Sequence, residues 1–284
     1  MKLADRRPPQ EGQWKGQARA ARADYPPVSL VLPTYNEKDT LPRLVPRLVA
    51  MLEPLGCSFE IIVVDDDSPD RTWELAGEMA RQDPRVRVVR RQGERGLATA
   101  VVAGWKAARG EILGVMDADL QYPPEGLPEL LDALVDGPAD VVVASRYARG
   151  AQVGAWSRRR EIVSRGAIVL AKLFLPRALH GVRDPNSGYF ILRRRVIENV
   201  ELRPIGFKIL IEVLARGHAE RVVEVPQRYD GRKAGKSKLG SRQSLEFLSH
   251  LARLAWETRK LGGLHFCLLG WSPSVLLRGG ITPF

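Results

Sequence analysis

The chain of 284 residues is 44% apolar and carries 44 Lys and Arg against 33 Asp and Glu, a formal charge of +11. This is the composition of an ordinary globular chain, long enough for one large α/β domain with appendages. Two cysteines, Cys57 and Cys267, exclude a disulfide framework, and the four histidines form no zinc spacing with them. The basic excess calls for an anionic partner: nucleic acid, a membrane surface or a phosphorylated substrate.

In chain order, residues 1–24 are polar, basic and proline-bearing, with no apolar h-region. They read as a mobile tail and not as a signal peptide. From residue 28 the chain alternates. Continuous apolar runs at 28–33 (VSLVLP), 59–65 (FEIIVVD), 86–90, 111–117 (EILGVMD) and 140–145 predict strands. Unbroken β-branched runs belong to a parallel sheet covered on both faces. Helical stretches at 37–52, 69–82, 96–108 and 125–136 separate them, the second with Ser68 as N-cap and Pro69 at its first position. Pro46 lies inside the first and is expected to kink it. This is the rhythm of βαβ units and a doubly wound sheet. After residue 150 it changes to a helix over 156–179, a strand over 187–194, a helix over 205–217 and a strand over 220–229 ending at Pro226. A glycine- and lysine-rich loop (230–241) and a helix over 242–260 follow. The expected division is a tail (1–24), a main domain (25–241), a C-terminal helix (242–262) and an end segment (263–284). The most apolar stretch, 261–277, has about 17 residues with a His and a Pro inside, short of the roughly 20 a membrane span needs.

Ligands of doubly wound sheets bind outside the carboxyl ends of the strands. Two acidic clusters, VVDDDSPD and VMDADLQ, fall at such ends, as does PTYNE after the first strand. Hard oxygen ligands there suit Mg²⁺ or Mn²⁺, which shares its shell with substrate phosphates. A metal on a diphosphate makes that group a better leaving group, the chemistry of a nucleotide-sugar donor. The spacing by itself does not decide. With 15 Asp in the chain, about one Asp-x-Asp is expected by chance, and on spacing alone a solvated strand end or helix cap is the favoured explanation.

The surrounding motifs carry more. LPTYNE, VVDDDSPD, GLATAVVAGWKAARGE, MDADLQYPPE and ASRYARG, in this order, resemble the family-2 glycosyltransferases of the GT-A fold. REIVSRGA, RDPNSGYFILRR and RYDGRKAGKSKL narrow the resemblance to dolichol-phosphate mannosyltransferases and their polyprenol-phosphate counterparts, over residues 28 to about 250. The chain departs in having no convincing C-terminal membrane helix where many relatives carry them, and 264–270 resembles the opening of such a helix, altered or cut short. The resemblance implies a GT-A, Rossmann-like, mostly parallel doubly wound sheet with C-terminal interface helices. It implies that Pro33, Tyr35, Glu37, Val64 and Asp66 hold the base and ribose. Asp117, Ala118, Asp119 and Gln121 line the diphosphate, with Asp119 and Gln121 as direct Mg²⁺ or Mn²⁺ ligands, and Arg232 and Lys238 close over the donor phosphates. Arg146, Arg160 and Ser164 grip a lipid phosphate, for which arginine's planar fork is suited. Asp117, Asp119, Arg146 and Arg232 form the catalytic set. Helix 158–179 lies on a membrane and guides the polyprenyl tail, or is simply a core-packed amphipathic helix.

The implied reaction is inverting transfer of a sugar to polyprenyl phosphate, mannose from GDP-mannose first and glucose from UDP-glucose second. The partners are then donor, lipid acceptor and the cytoplasmic face of a membrane, with no nucleic acid. An ionised phosphate needs no general base. A hydroxyl acceptor would, and Asp184 and Glu212 are the candidates for it; with a phosphate acceptor neither should be indispensable. A basic nucleic-acid module explains the charge but not the acidic strand ends.

Overall fold

The computed structural model of the protein describes residues 25–154, 158–230 and 241–268. The first half follows the expected rhythm. Strand β1 (Val28–Thr34) is followed by α1 (Leu41–Leu52), β2 (Phe59–Asp65), α2 (Thr72–Gln82) and β3 (Val86–Arg90). Then come α3 (Leu97–Ala107), β4 (Ile112–Met116), α4 (Leu127–Val135) and β5 (Val141–Ser145). Among the described residues seven strands form one sheet: β1 to β5 are joined by β7 (Tyr189–Arg193) and β8 (Val222–Pro226) in the order β3-β2-β1-β4-β7-β5-β8. A short ribbon pairs β6 (Gln152–Val153) with β9 (Arg228–Tyr229). The remaining helices are α5 (Arg158–Phe174), α6 (Ile209–Arg216) and α7 (Ser241–Leu268).

The continuous apolar runs are explained by burial on both faces. Leu30, Leu32, Ile61 and Val63 point to one side and join the buried leucines of α1 and α4. Val31, Ile62, Val64, Leu113 and Val115 point to the other and join α3, α6 and α7. On that second side α3 comes so close that a Cβ on Gly104 would lie 2.8 Å from Val31 Cγ2 and 3.0 Å from Val64 Cγ2.

Strand order reverses at β1, which pairs β2 on one side and β4 on the other, so the switch point lies between β1 and β4. The decisive departure from a simple parallel sheet is β7. It runs antiparallel between β4 and β5, with Tyr189 opposite Met116 and Phe190 opposite both Val115 and Val143. An antiparallel strand begins where its neighbours end. The loop 184–188 that leads into β7 therefore sits at the same edge as Asp117, Ser145 and Pro226.

Several boundaries move for local reasons. Helix α2 starts at Thr72, not 69: Ser68 Oγ donates to Asp65 Oδ2 (2.6 Å) instead of capping, Arg71 is left-handed (φ 64°), and Asp70 accepts from Thr72 N–H at 3.0 Å. Pro46 lies within α1. The helix expected over 205–217 is limited to Ile209–Arg216, and the expected strand 220–229 is two pieces, β8 and β9. Helix α7 extends through Leu268, beyond the expected limit of 260–262, and no helix of the described residues is long and apolar enough to cross a membrane. The N-terminal tail, most of loop 230–241 and residues 269–284 lie outside the described residues.

Glu212 ties α6 to α7. It is fully buried, accepts from Arg203 N–H at 2.6 Å, pairs with Arg216 at 2.7 Å and meets His250 Nε2 at 2.7 Å. Burial raises its pKa, but His250, the Arg203 amide and Arg216 together bring it net below the ordinary glutamate value. Glu212→Ala should therefore cost about 3–5 kcal/mol at neutral pH, measured by denaturant unfolding. A depressed folded pKa gives stability above the unfolded pKa that fades as pH falls through the folded one. The gap between variant and wild type should accordingly shrink in acid.

Candidate active site

The side expected to take the nucleotide is built from the ends of β1, β2 and β3. Asp65 is fully buried and accepts from Thr34 Oγ1 (2.9 Å), Ser68 N–H (2.8 Å) and Ser68 Oγ, and Ser68 Oγ in turn accepts from Asn36 N–H at 2.9 Å. One carboxylate thus pins two loops. Asp66, also buried, accepts from Arg91 Nε at 2.7 Å and from Gly96 N–H at 2.8 Å, fixing the loop before α3. Pro33 and Val64 are register partners across β1 and β2. Val64 and Ala118 are core residues, so a ligand meets them through backbone atoms. Tyr35 and Glu37 are half-buried at the rim. Arg95 stacks over the Tyr35 ring at 4.7 Å, and Thr40 Oγ1 donates to Glu37 Oε2 at 3.0 Å. All five expected nucleotide-binding residues fall at this edge, with Asp66 already carrying Arg91.

β4 delivers the second acidic pair. Asp117 N–H donates to Gly188 O at 3.2 Å, and the Asp117 carboxylate lies where a Gly188 Cβ would stand. Leu120 takes a left-handed turn (φ 57°), and Asp119 Oδ1 accepts from Gln121 N–H at 3.1 Å. Gln121 is buried: its Oε1 accepts from Tyr229 OH at 2.8 Å, its Nε2 donates to Asp230 O at 3.3 Å, and its own carbonyl accepts from Asp230 N–H at 2.7 Å. The Asp117–Gln121 segment is thereby joined to the strand that leads into residues 231–240. Arg232 and Lys238, expected to close over the donor phosphates, lie outside the described residues.

Three expected acceptor residues gather on the far side of Tyr229. Arg160 Nη2 reaches Tyr229 OH at 3.4 Å, and Tyr147 OH donates to Ser164 Oγ at 2.8 Å. Arg146 lies with its guanidinium 5.4 Å from the Tyr229 ring centre and 5.5 Å from that of Tyr147. It is also bidentate to Asp184, through Nε (2.8 Å) and Nη2 (2.7 Å), while its backbone N–H donates to the same carboxylate at 3.0 Å. Asp184 is fully buried. Removing its charge would leave Arg146 as an uncompensated buried charge, a packing cost that is separate from the expectation that Asp184 is not needed as a base. Burial first, then the charges of Asp119 and Asp117 against those of Arg146 and Arg160, push Tyr229 up to about 12. It remains a neutral hydroxyl across the working range.

Sequence reasoning missed Tyr229, the Asp184 partnership and Lys208, whose Nζ donates to Asn186 O at 2.8 Å. Asn186 Oδ1 is buried with no hydrogen-bond partner among the described residues. A signal existed for Lys208: it is a single cation inside the apolar run IGFKILI. Tyr229 carried no such mark.

The α/β sheet thus brings an acidic segment after β4 and an arginine-bearing segment after β5 to one edge. Residues 29–201 match the family model described as glycosyl transferase family 2. The chain is 45% identical over 258 residues to a dolichol-phosphate mannosyltransferase of Pyrococcus furiosus, covering 90% of this chain and 72% of that protein. It is 36% identical to the dolichol-phosphate mannosyltransferase of Saccharomyces cerevisiae (80% and 86% covered) and 37% identical to the polyprenol monophosphomannose synthase of Mycolicibacterium smegmatis (81% and 86%). Among solved structures it resembles mannosyl-3-phosphoglycerate synthase from Rubrobacter xylanophilus, with a TM-score of 0.63 at 23% identity over 84% of this chain and 75% of the other. It also resembles glucosyl-3-phosphoglycerate synthase from Mycobacterium tuberculosis, solved with Mn²⁺, UDP and phosphoglyceric acid, with a TM-score of 0.61 at 20% identity over 81% and 78%. The fold is GT-A, Rossmann-like. The chain belongs to glycosyl transferase family 2, in the dolichol-phosphate mannosyltransferase branch, and is a glycosyltransferase.

Two substitutions test this geometry. Gly188→Ala drives a methyl group into the Asp117 carboxylate; turnover should fall on the order of 100-fold, with a stability loss of about 1–3 kcal/mol. Asp184→Asn should lower unfolding free energy by about 3 kcal/mol or more and weaken acceptor binding, read as a raised acceptor KM in the fraction that stays folded.

Proposed function

We propose that the protein transfers mannose from GDP-mannose to a polyprenyl phosphate at the cytoplasmic face of a membrane, with inversion at the anomeric carbon. The observation that carries this reading is the convergence on Tyr229 of Gln121, from the acidic donor segment, and Arg160, from the basic acceptor helix. A phosphate oxygen of the acceptor attacks C1 of the sugar; the C1–O bond to the diphosphate breaks, and its electron pair leaves with GDP. The product is a lipid mannosyl phosphate.

No enzyme group has to take a proton. A phosphate monoester with a second pKa of about 6 is doubly ionised at neutral pH. A hydroxyl acceptor would need a positioned base. Its two candidates are both fully buried, Asp184 against Arg146 and Glu212 against Arg216 and His250. The chain's work is then orientation and charge. Asp119 and Gln121 are the side chains that would hold Mg²⁺ or Mn²⁺. Both present hard oxygens, and the Gln121 carbonyl has two acceptor directions. Among the described residues no cluster of three His, Cys, Asp or Glu stands ready for a metal. So short a donor set suits an ion completed by water and donor phosphates. Bound there, the ion would offset the charge of the departing diphosphate. Arg232 and Lys238 take the same phosphates in this reading.

The acceptor's tail fits the outside of α5 and α7, which pack together. Ile162, Val169 and Leu173 of α5 recur at helical spacing and are 70%, 58% and 71% exposed; on α7, Leu245 and Trp256 are 67% and 63% exposed. Helix α5 also carries Arg160 and Ser164, so one element joins the phosphate site to an apolar outer stripe flanked by Arg165 and Lys172. Such a helix binds in a lipid interface.

The test is a panel of nucleotide sugars with polyprenyl phosphate, polyprenol and Mn²⁺ or Mg²⁺, reading lipid-linked product. GDP-mannose with the phosphate should be used, chelator should abolish transfer, and Asp119→Ala should stay folded with less than about 1% of the rate, as expected for loss of a group acting on transition-state charge. The rate should rise with pH through about 6, as the acceptor ionises, and then level. Preferential transfer to polyprenol would overturn the reading.

A further inference from the structure

Lys208 immediately precedes α6, and the segment before it is held firmly. Gly206 O accepts from Ala98 N–H at 3.3 Å, Arg253 of α7 donates to Arg203 O, and Glu212 accepts from Arg203 N–H. The side chain turns toward the 184–188 loop and docks on Asn186 O at 2.8 Å. There it lies within electrostatic range of Arg146 and Asp184 on the acceptor side and of Asp117 on the donor side. Burial and the like charge of Arg146 bring its pKa down to about 8, against the opposing pull of the two aspartates.

An ammonium has three donors, and among the described residues Lys208 uses one, on a neutral carbonyl. Asp184 and Asp117 attract it at range, while the Asp184 oxygens are hydrogen-bonded to Arg146. A buried ammonium whose hydrogen bond goes to a neutral carbonyl, with Arg146 nearby, is stabilised further by an incoming anion. A lipid phosphate carrying about two negative charges and seated by Arg146 would come within range of this ammonium as well.

Resting on the phosphate-acceptor reading above, we infer that Lys208 is a further acceptor-binding residue: its ammonium, docked on the Asn186 carbonyl beside the Arg146–Asp184 pair, supplies a cation to the lipid phosphate.

The test uses the full chain with GDP-mannose, Mn²⁺ and polyprenyl phosphate. Lys208→Met should raise the acceptor KM about 10- to 100-fold, the size of one charge-assisted hydrogen bond, and leave the donor KM within about twofold. Lys208→Arg should recover most of the loss. In the wild type, polyprenyl phosphate should protect Lys208 from an amine-acylating reagent, mapped by mass spectrometry, while GDP-mannose alone should not. The inference is overturned if Lys208→Met leaves the acceptor KM unchanged or shifts only the donor KM. Protection by donor and not by acceptor overturns it as well, and that measurement decides even if Lys208→Met does not fold. A wild type that makes no lipid mannosyl phosphate defeats the proposed reaction instead, and the acylation result then still reports whether Lys208 meets the phosphate.

Discussion

The ion pair between Arg146 and Asp184 is the contact on which the acceptor half of the crevice depends. Arg146 follows β5 and Asp184 opens the loop into β7, so the pair fixes where an antiparallel strand enters an otherwise parallel sheet. The same loop is held from a third strand: Glu224 of β8 accepts from Arg183 N–H (2.9 Å) and Asp184 N–H (2.7 Å). Burial raises the Glu224 pKa, and these amides and Ser145 only partly oppose it. A buried ion pair is a poor source of net stability because desolvation offsets most of the attraction, but it penalises every arrangement in which either partner is left alone. Here that penalty holds Asn186 and Gly188 in place, and with them the position of Asp117.

Two acidic clusters of similar spelling do different work, and their partners distinguish them. Asp65 and Asp66 sit at the end of β2 with their oxygens spent on Thr34, Ser68, Arg91 and Gly96. They are the mortar of the donor loops. Asp117 and Asp119, at the end of β4, border a turn whose next side chain, Gln121, connects to Tyr229. Carboxylates committed to backbone and arginine organise a wall; the pair after β4 belongs to the segment proposed to meet the donor phosphates.

Tyr229 owes its place to the small β6–β9 ribbon, which carries it under Gln121 and against Tyr122, with ring centres 4.7 Å apart. Its neutral hydroxyl donates to Gln121 Oε1 and accepts from Arg160, so one group without charge joins the segment after β4 to helix α5.

Much of this protein was legible in the sequence. Strands β1, β2, β4 and β5 announced themselves through largely apolar runs, because burial on both faces leaves few polar positions in them. The ordered motifs carried the family, glycosyl transferase family 2, which the family match over residues 29–201 shows. Helix limits were less legible, since the start of α2 depends on whether Ser68 bonds to its own helix or to Asp65, a choice made between loops. Tertiary structure alone decided the direction of β7, which an apolar run does not encode. It also decided the pairing of Arg146 with Asp184, 38 residues apart, and the seating of Lys208 on Asn186, 22 residues before it. A sequence states which charges exist; which of them cancel depends on distances set only when the sheet closes.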